Sequence, residues 1–274
     1  MPSPLLSAAH AAVDVVIALT WWGEMQTAPL FFDEIARQRA RWVSLHQTAT
    51  ASALSAGARF PVELYFAVEA KAYARISAAQ EIRVTTTLGT DLTFRAFTTP
   101  GHPSAPLTAG MWRPFPYGGA NFYPDRTDGV TVIEESTVTG VPTGRTTLEF
   151  EDNRVTAIHG SAATELRRYA PQGYYLRHAL IGANPKVRTA GGTQFEREKH
   201  AGTFYFGIDG LTPQGTVDQF DQPTITLDGQ LLVDNGRLLL LDDPEIRELA
   251  EKFGPADVLL DPNPRLVLPS RYSR

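Results

Sequence analysis

Residues 81–97 read "EIRVTTTLGTDLTFRAF". The period of two along both arms predicts two strands joined around Leu88-Gly89-Thr90. The same period returns in "GVTVIEESTVTG" at 129–140 and in "RTTLEFEDNRVTAIHG" at 145–160, a hairpin that turns at Glu151-Asp152-Asn153-Arg154. Further on, "TITLDGQLLVDNGRLLLL" at 224–241 pairs short strands through Asp228-Gly229 and Asp234-Asn235-Gly236, residues that tolerate the positive φ of tight turns. From Glu81 onward the chain reads as β.

Before Glu81 the period is helical. "LFFDEIARQRARWVSLHQTATASALSAG" at 30–57 starts from Asp33 as an N-cap and runs to a glycine, and "PVELYFAVEAKAYARISAAQ" at 61–80 opens with Pro61 in a helix-compatible first position. Apolar residues recur at three and four spacing in both, the mark of amphipathic helices packed on a sheet. A last helix is expected in "DPEIRELAEKFG", capped by Asp243, with Pro244 at its first position and Gly254 at its end, followed by a Pro-rich tail. The expected fold class is therefore α/β (α+β): a mainly helical N-terminal part, residues 1–80, on a β-rich body of mostly antiparallel strands and hairpins, residues 81–274. The stretch "TTPGHPSAPLTAG" at 98–110 is a loop long enough to be functional.

Charge and composition exclude several classes. Of 274 residues 43% are hydrophobic, enough for a sizeable core, and 25 Lys+Arg against 30 Asp+Glu leave a net charge of -5 with no basic run for a nucleic-acid backbone. With no cysteine there is no disulfide, thiolate nucleophile or Cys-based metal site. The apolar start "MPSPLLSAAHAAVDVVIALTWW" has no positive flank and carries Asp14, so it reads as a buried helix or strand rather than a signal, and a cytoplasmic protein with neither nucleic acid nor membrane as partner is expected. The sequence contains no G-x-S-x-G, H-E-x-x-H, Walker or G-x-G-x-x-G signature. Its six histidines, His10, His46, His102, His159, His178 and His200, form no short-range ligand pair.

Four stretches taken in order carry a resemblance. "TTTLGTDLTF", then "FPYGGANFYP" with "DGVTVIEE", then "YYLRHALIGANP", and finally "AGTFYFGIDG" with "PTITLDG" resemble the C-terminal metal-binding domain of the thermophilic metalloaminopeptidases and the related dihydroxypyridine dioxygenases, over about residues 82 to 240. The resemblance puts that family's ligand positions on Gly119 and His178, where it has glutamates, and on Tyr205 and Thr216, where it has histidines, with Asp218 as the remaining acid. No histidine follows His200. Glycine, tyrosine and threonine do not replace a glutamate and two histidines around a divalent metal, so no metal and no other cofactor is expected, and the resemblance implies the fold without the family's catalysis.

A cleft that has lost its metal keeps its walls. Here they are aromatic and basic: Trp112, Arg113, Phe115, Tyr117, Asn121, Phe122, Tyr123 and Arg126 in one segment, and Tyr174, Tyr175, Arg177, His178, Asn184, Lys186 and Arg188 around the G-A-N-P turn, with Tyr205 turned to the old cleft. Aromatic and Arg side chains are the usual anchors for peptides. Of these, Trp112, Arg113, Tyr117, Asn121, Tyr123, Arg177, His178, Asn184 and Tyr205 are the expected ligand-binding residues. A strand edge is a second route, "TTTLGTDLTF" or "GTFYFGID" accepting an extended peptide by main-chain pairing. The chain also resembles metal-free relatives that serve as peptide-binding proteins in the biosynthesis of ribosomally made, modified peptides, the crocagin pathway among them. This implies a precursor peptide as partner, with the pathway's modifying enzymes and a second copy of the chain as further partners, and a non-catalytic role. The competing reading is a metal-independent enzyme whose His178, with Asp218, Glu134 or Glu135, performs acid–base cyclisation or hydrolysis of a bound peptide.

Overall fold

A computed structural model describes residues 8, 12–18, 40–45, 56–99, 108–114, 118–136, 139–169, 174–187, 194–209, 215–219 and 222–262, with the backbone alone at 44, 112–114, 194, 195, 209, 215, 216, 218 and 219. Its chain order begins with two short strands, β1 (Val15–Ala18) and β2 (Arg41–Ser44), then helix α1 (Val62–Ala78) and the hairpin β3 (Glu81–Thr85) and β4 (Asp91–Thr98). After β5 (Trp112–Pro114) come the long β6 (Gly119–Val132), the two-residue β7 (Glu135–Ser136), the hairpin β8 (Thr146–Glu151) and β9 (Arg154–Gly160), and α2 (Ala163–Tyr169). The second half contains β10 (Tyr175–Gly182), α3 (Gln194–Arg197), β11 (Phe204–Asp209), β12 (Gly215–Gln219), β13 (Thr224–Leu227), β14 (Gln230–Asp234) and β15 (Arg237–Leu238), and ends in helices α4 (Pro244–Ala250) and α5 (Ala256–Leu260).

Twelve strands form one sheet in the order β15-β14-β13-β3-β4-β6-β8-β9-β10-β11-β12-β7, with β6 also paired to β10, and every pair within it is antiparallel. The α/β expectation with a β-rich, mostly antiparallel body is what the chain adopts. The predicted hairpins form at the predicted turns: Asp152 and Asn153 both take positive φ, 47° and 68°, as a two-residue turn matched to strand twist requires. Asp228 and Asn235 do the same ahead of their glycines.

The N-terminal part departs from expectation. Arg41–Ser44, inside the stretch read as a helix, is a strand in a three-stranded parallel sheet of β1, β2 and β5. The amphipathic period there is overridden by tertiary pairing: Trp42 is buried and its backbone N–H donates to Met111 O at 2.9 Å, a partner no local pattern reveals. The rest of that stretch, Asp33 included, lies outside the described residues, as does most of the 98–110 loop. β1 confirms a strand at the apolar start, but Val15 and Ile17 are exposed rather than buried. Beyond α4, the supposed tail forms α5 before the described chain ends. Among the described residues no helix is long and apolar enough to cross a membrane.

The core lies on the inner face of the large sheet. Phe94, Phe122, Phe204 and Phe206 are fully buried there, with Phe94 edge-on to Phe122 at 5.3 Å between ring centres and tilted against Phe204 at 5.7 Å. Helix α1 covers part of this face with Leu64, Tyr65, Val68, Ala72, Tyr73 and Ile76, which recur every three or four residues as a buried stripe must. It also completes the sheet. Where β4 no longer runs beside β6, Tyr65 Oη accepts the Gly119 N–H at 3.1 Å and Tyr73 Oη the Asn121 N–H at 3.0 Å, so two strand amides that would be orphaned are satisfied from the helix.

Candidate functional site

The register of four neighbouring strands decides which side chains meet. In antiparallel pairs directly opposed residues share a face. Asn121 on β6 opposes Leu180 on β10, Leu180 opposes Tyr205 on β11, Tyr205 opposes Asp218 on β12, and Asp218 opposes Glu135 on β7. That is one row across five strands, on the face away from Phe122, Phe204 and Phe206. Beside it His178 opposes Gly207, which opposes Thr216.

Between the two rows three rings converge. His178 stands edge-on to Tyr205 with ring centres 5.8 Å apart and an interplanar angle of 86°, and lies 6.4 Å from Tyr123. Room for the imidazole comes from Gly207: a β-carbon there would lie 2.3 Å from His178 Cε1 and 2.6 Å from Nδ1. His178 and Tyr205 are half-buried, whereas Tyr123 and Tyr175 are 43% and 44% exposed. A bulge between Leu176 and His178 sets Arg177 out of register as an exposed residue between Tyr175 and His178, which is how bulges re-aim side chains. Tyr123, Arg177, His178 and Tyr205, distant in sequence, are thereby brought together, with Tyr175 added.

Other expected site residues go elsewhere. Asn184 is a buried structural residue: its Nδ2 donates to Gly57 O at 3.2 Å and its Oδ1 accepts the Lys186 N–H at 3.0 Å, so the amide is committed to holding the G-A-N-P turn. Asn121 is half-buried and lies at the end of the row. Trp112 and Arg113 sit on β5 in the smaller parallel sheet, and Tyr117 lies outside the described residues. Two aromatics read as cleft walls are core: Phe122 is fully buried, and Tyr174 is buried with its hydroxyl donating to Leu166 O. Gly119 to Tyr123 form a strand, not a turn, because their amides have partners on both sides.

The strand-edge route is closed for both candidate segments. The arms of "TTTLGTDLTF" lie in β3 and β4, flanked by β13 and β6, and "GTFYFGID" is β11 between β10 and β12. Their main-chain groups are used within the sheet, and the outward face remains as the accessible surface of this region.

The donor set does not suit a catalytic metal. Among the described residues no three His, Asp or Glu side chains gather as ion ligands, and the face offers an imidazole enclosed by two phenols. The carboxylate at the end of the row, Glu135, is engaged by Arg197. His178 and Asp218 are not a cross-strand pair either: β11 intervenes, so their strands are separated by about 10 Å.

No protein-family model and no curated protein matches this sequence. Among solved structures the chain is similar to a 2,5-dihydroxypyridine dioxygenase from Pseudomonas putida KT2440, with a TM-score of 0.71 over 88% of this chain and 75% of that one at 20% sequence identity, a distant likeness of fold.

Proposed function

We propose that this chain is a peptide-binding protein that works without a catalytic metal, laying an extended precursor peptide across the outward face of β6, β10 and β11 for modification by other enzymes of a ribosomal-peptide pathway. The observation that supports the reading is the convergence of Tyr123, His178 and Tyr205 into one aromatic group beside exposed Tyr175 and Arg177. Aromatic rings offer large contact area at small entropic cost, and an adjacent guanidinium pairs with a carboxylate or carbonyl of the ligand. The precursor peptide and its pathway come from the sequence resemblance alone. Calorimetric titration of the purified chain with precursor peptides encoded beside its gene tests the reading: saturable binding weakened by Tyr205→Ala is expected, and no binding to any such peptide overturns it. The acid–base alternative is less well served, because the strand between His178 and Asp218 keeps the two apart.

A further inference from the structure

The run Glu196–Thr203 carries five consecutive charged or titratable residues, yet it is folded inward. Glu196, Glu198, Lys199 and His200 are all buried, and Arg197 is largely so. The backbone of this turn is clamped to the end of β10: Asn184 N–H donates to Lys199 O at 3.1 Å, Gly202 N–H to Gly182 O at 2.9 Å and Gly182 N–H to Thr203 O at 3.0 Å. There is no slack in the packing. A β-carbon on Gly118 would lie 2.0 Å from Lys199 Cγ, and one on Gly182 would lie 2.0 Å from His200 O.

Inside this clamp Glu198 is poorly provided for. Its Oε1 accepts one long hydrogen bond, 3.4 Å from Lys199 Nζ, and its Oε2 is buried without a partner. An ionised carboxylate there loses its hydration and regains one weak contact, which favours the protonated form. The surrounding charges are Lys199 and Arg197 on its own segment and Glu135 from β7, itself engaged by Arg197. Glu196, His200 and Glu134 are buried in the same stretches, while β6 and β10 bring up Gly118, Gly182 and Asn184, none of which titrates.

We infer that Glu198 is a proton-operated latch: while it is neutral the Glu196–Thr203 turn stays clamped against Gly118 and Gly182, and its ionisation loosens the turn together with the start of β11, which carries Tyr205. The mechanical link is Thr203, whose Oγ1 donates to Glu198 O and His200 O, both at 2.7 Å, one residue before β11 begins. Burial pushes the carboxyl up to about 7 against the opposing pull of Lys199 and Arg197, which places the latch in the neutral range. A carboxyl raised in the folded state stabilises below its ordinary value of 4.5, and that stabilisation is lost as pH rises through about 7.

Hydrogen exchange of the full chain, corrected for intrinsic rates, tests this without any ligand, so its failure is separate from failure of the peptide-binding reading. Amides of residues 198–205 are expected to open about 10-fold more readily near pH 8 than near pH 6, and Glu198→Gln is expected to abolish that dependence. An unchanged response in Glu198→Gln, or none in the wild type, overturns the proposal. Should Glu198→Gln not fold, carboxyl-carbon NMR of the wild type decides: one glutamate titrating near neutrality supports the latch, and all glutamates titrating in the ordinary range overturn it.

Discussion

The imidazole of His178 occupies the volume that a side chain on Gly207 would require, with Cε1 2.3 Å from the position of a β-carbon there. The pair faces across β10 and β11, so glycine on one strand is the condition for histidine to lie flat against the other. Gly207→Ala is expected to displace the ring and lower stability by about 1–3 kcal/mol, read as a fall in Tm. In a His178→Ala background the loss should nearly vanish. Equal losses in both backgrounds would show that the imidazole is not what fills the space.

Binding should depend on the converged rings and not on the committed amide. Tyr205→Ala and His178→Ala are each expected to weaken peptide affinity about 10-fold, the loss typical of a central aromatic anchor. Asn184→Ala should instead destabilise the fold by about 1–3 kcal/mol by removing hydrogen bonds to Gly57 and Lys186, and leave affinity unchanged where the protein is folded. Calorimetry paired with chemical denaturation separates the two. A large affinity loss in Asn184→Ala alone would put the ligand at the turn.

Tyr65 joins helix and sheet through one oxygen, accepting from Gly119 N–H and donating to Glu69 Oε1 at 2.6 Å. Burial, then the neighbouring Glu69 carboxylate, pushes its phenol well above the ordinary tyrosine range, so it stays a donor at all working pH. Tyr65→Phe leaves a strand amide and a buried carboxylate without that partner. A loss of about 2–4 kcal/mol in denaturant unfolding is expected, against a few tenths for an exposed tyrosine such as Tyr123.

Asp243 caps α4, accepting from the Glu245 and Ile246 N–H groups, and pairs with Lys71 at 3.0 Å. Burial pushes its carboxyl up, but the Lys71 ammonium and the two amides outweigh burial and hold it below its ordinary value of 3.8. A lowered carboxyl stabilises above its unfolded value, and the stabilisation is lost as pH falls through the folded one. Asp243→Ala should therefore cost about 1 kcal/mol at neutral pH and progressively less below about pH 4. A cost independent of pH would remove the charge from the cap.

Local signals predicted local structure. The hairpins at Asp152-Asn153, Asp228-Gly229 and Asn235-Gly236 and the Asp243-Pro244 helix start were legible because turn and cap preferences act over four residues. Arg41–Ser44 was not legible, since a strand in a parallel sheet is made by partners far along the chain. The site divides the same way. Tyr123, Arg177, His178 and Tyr205 were identified by residue type and resemblance, yet only strand register distinguished Tyr123 from its buried neighbour Phe122 and Tyr175 from Tyr174.

The inward fold of Glu196–His200 had no warning in sequence, where consecutive charges ordinarily mark a solvated turn. The sequence by itself determined which segments pleat, where they turn, and that no histidine follows His200 to complete the ligand set of the family it resembles. Tertiary structure alone decided that His178 meets Tyr205 over Gly207, and that Glu198 is sealed beside Lys199. Such contacts depend on register and on volume left by distant glycines, and neither is encoded within reach of a single turn of chain.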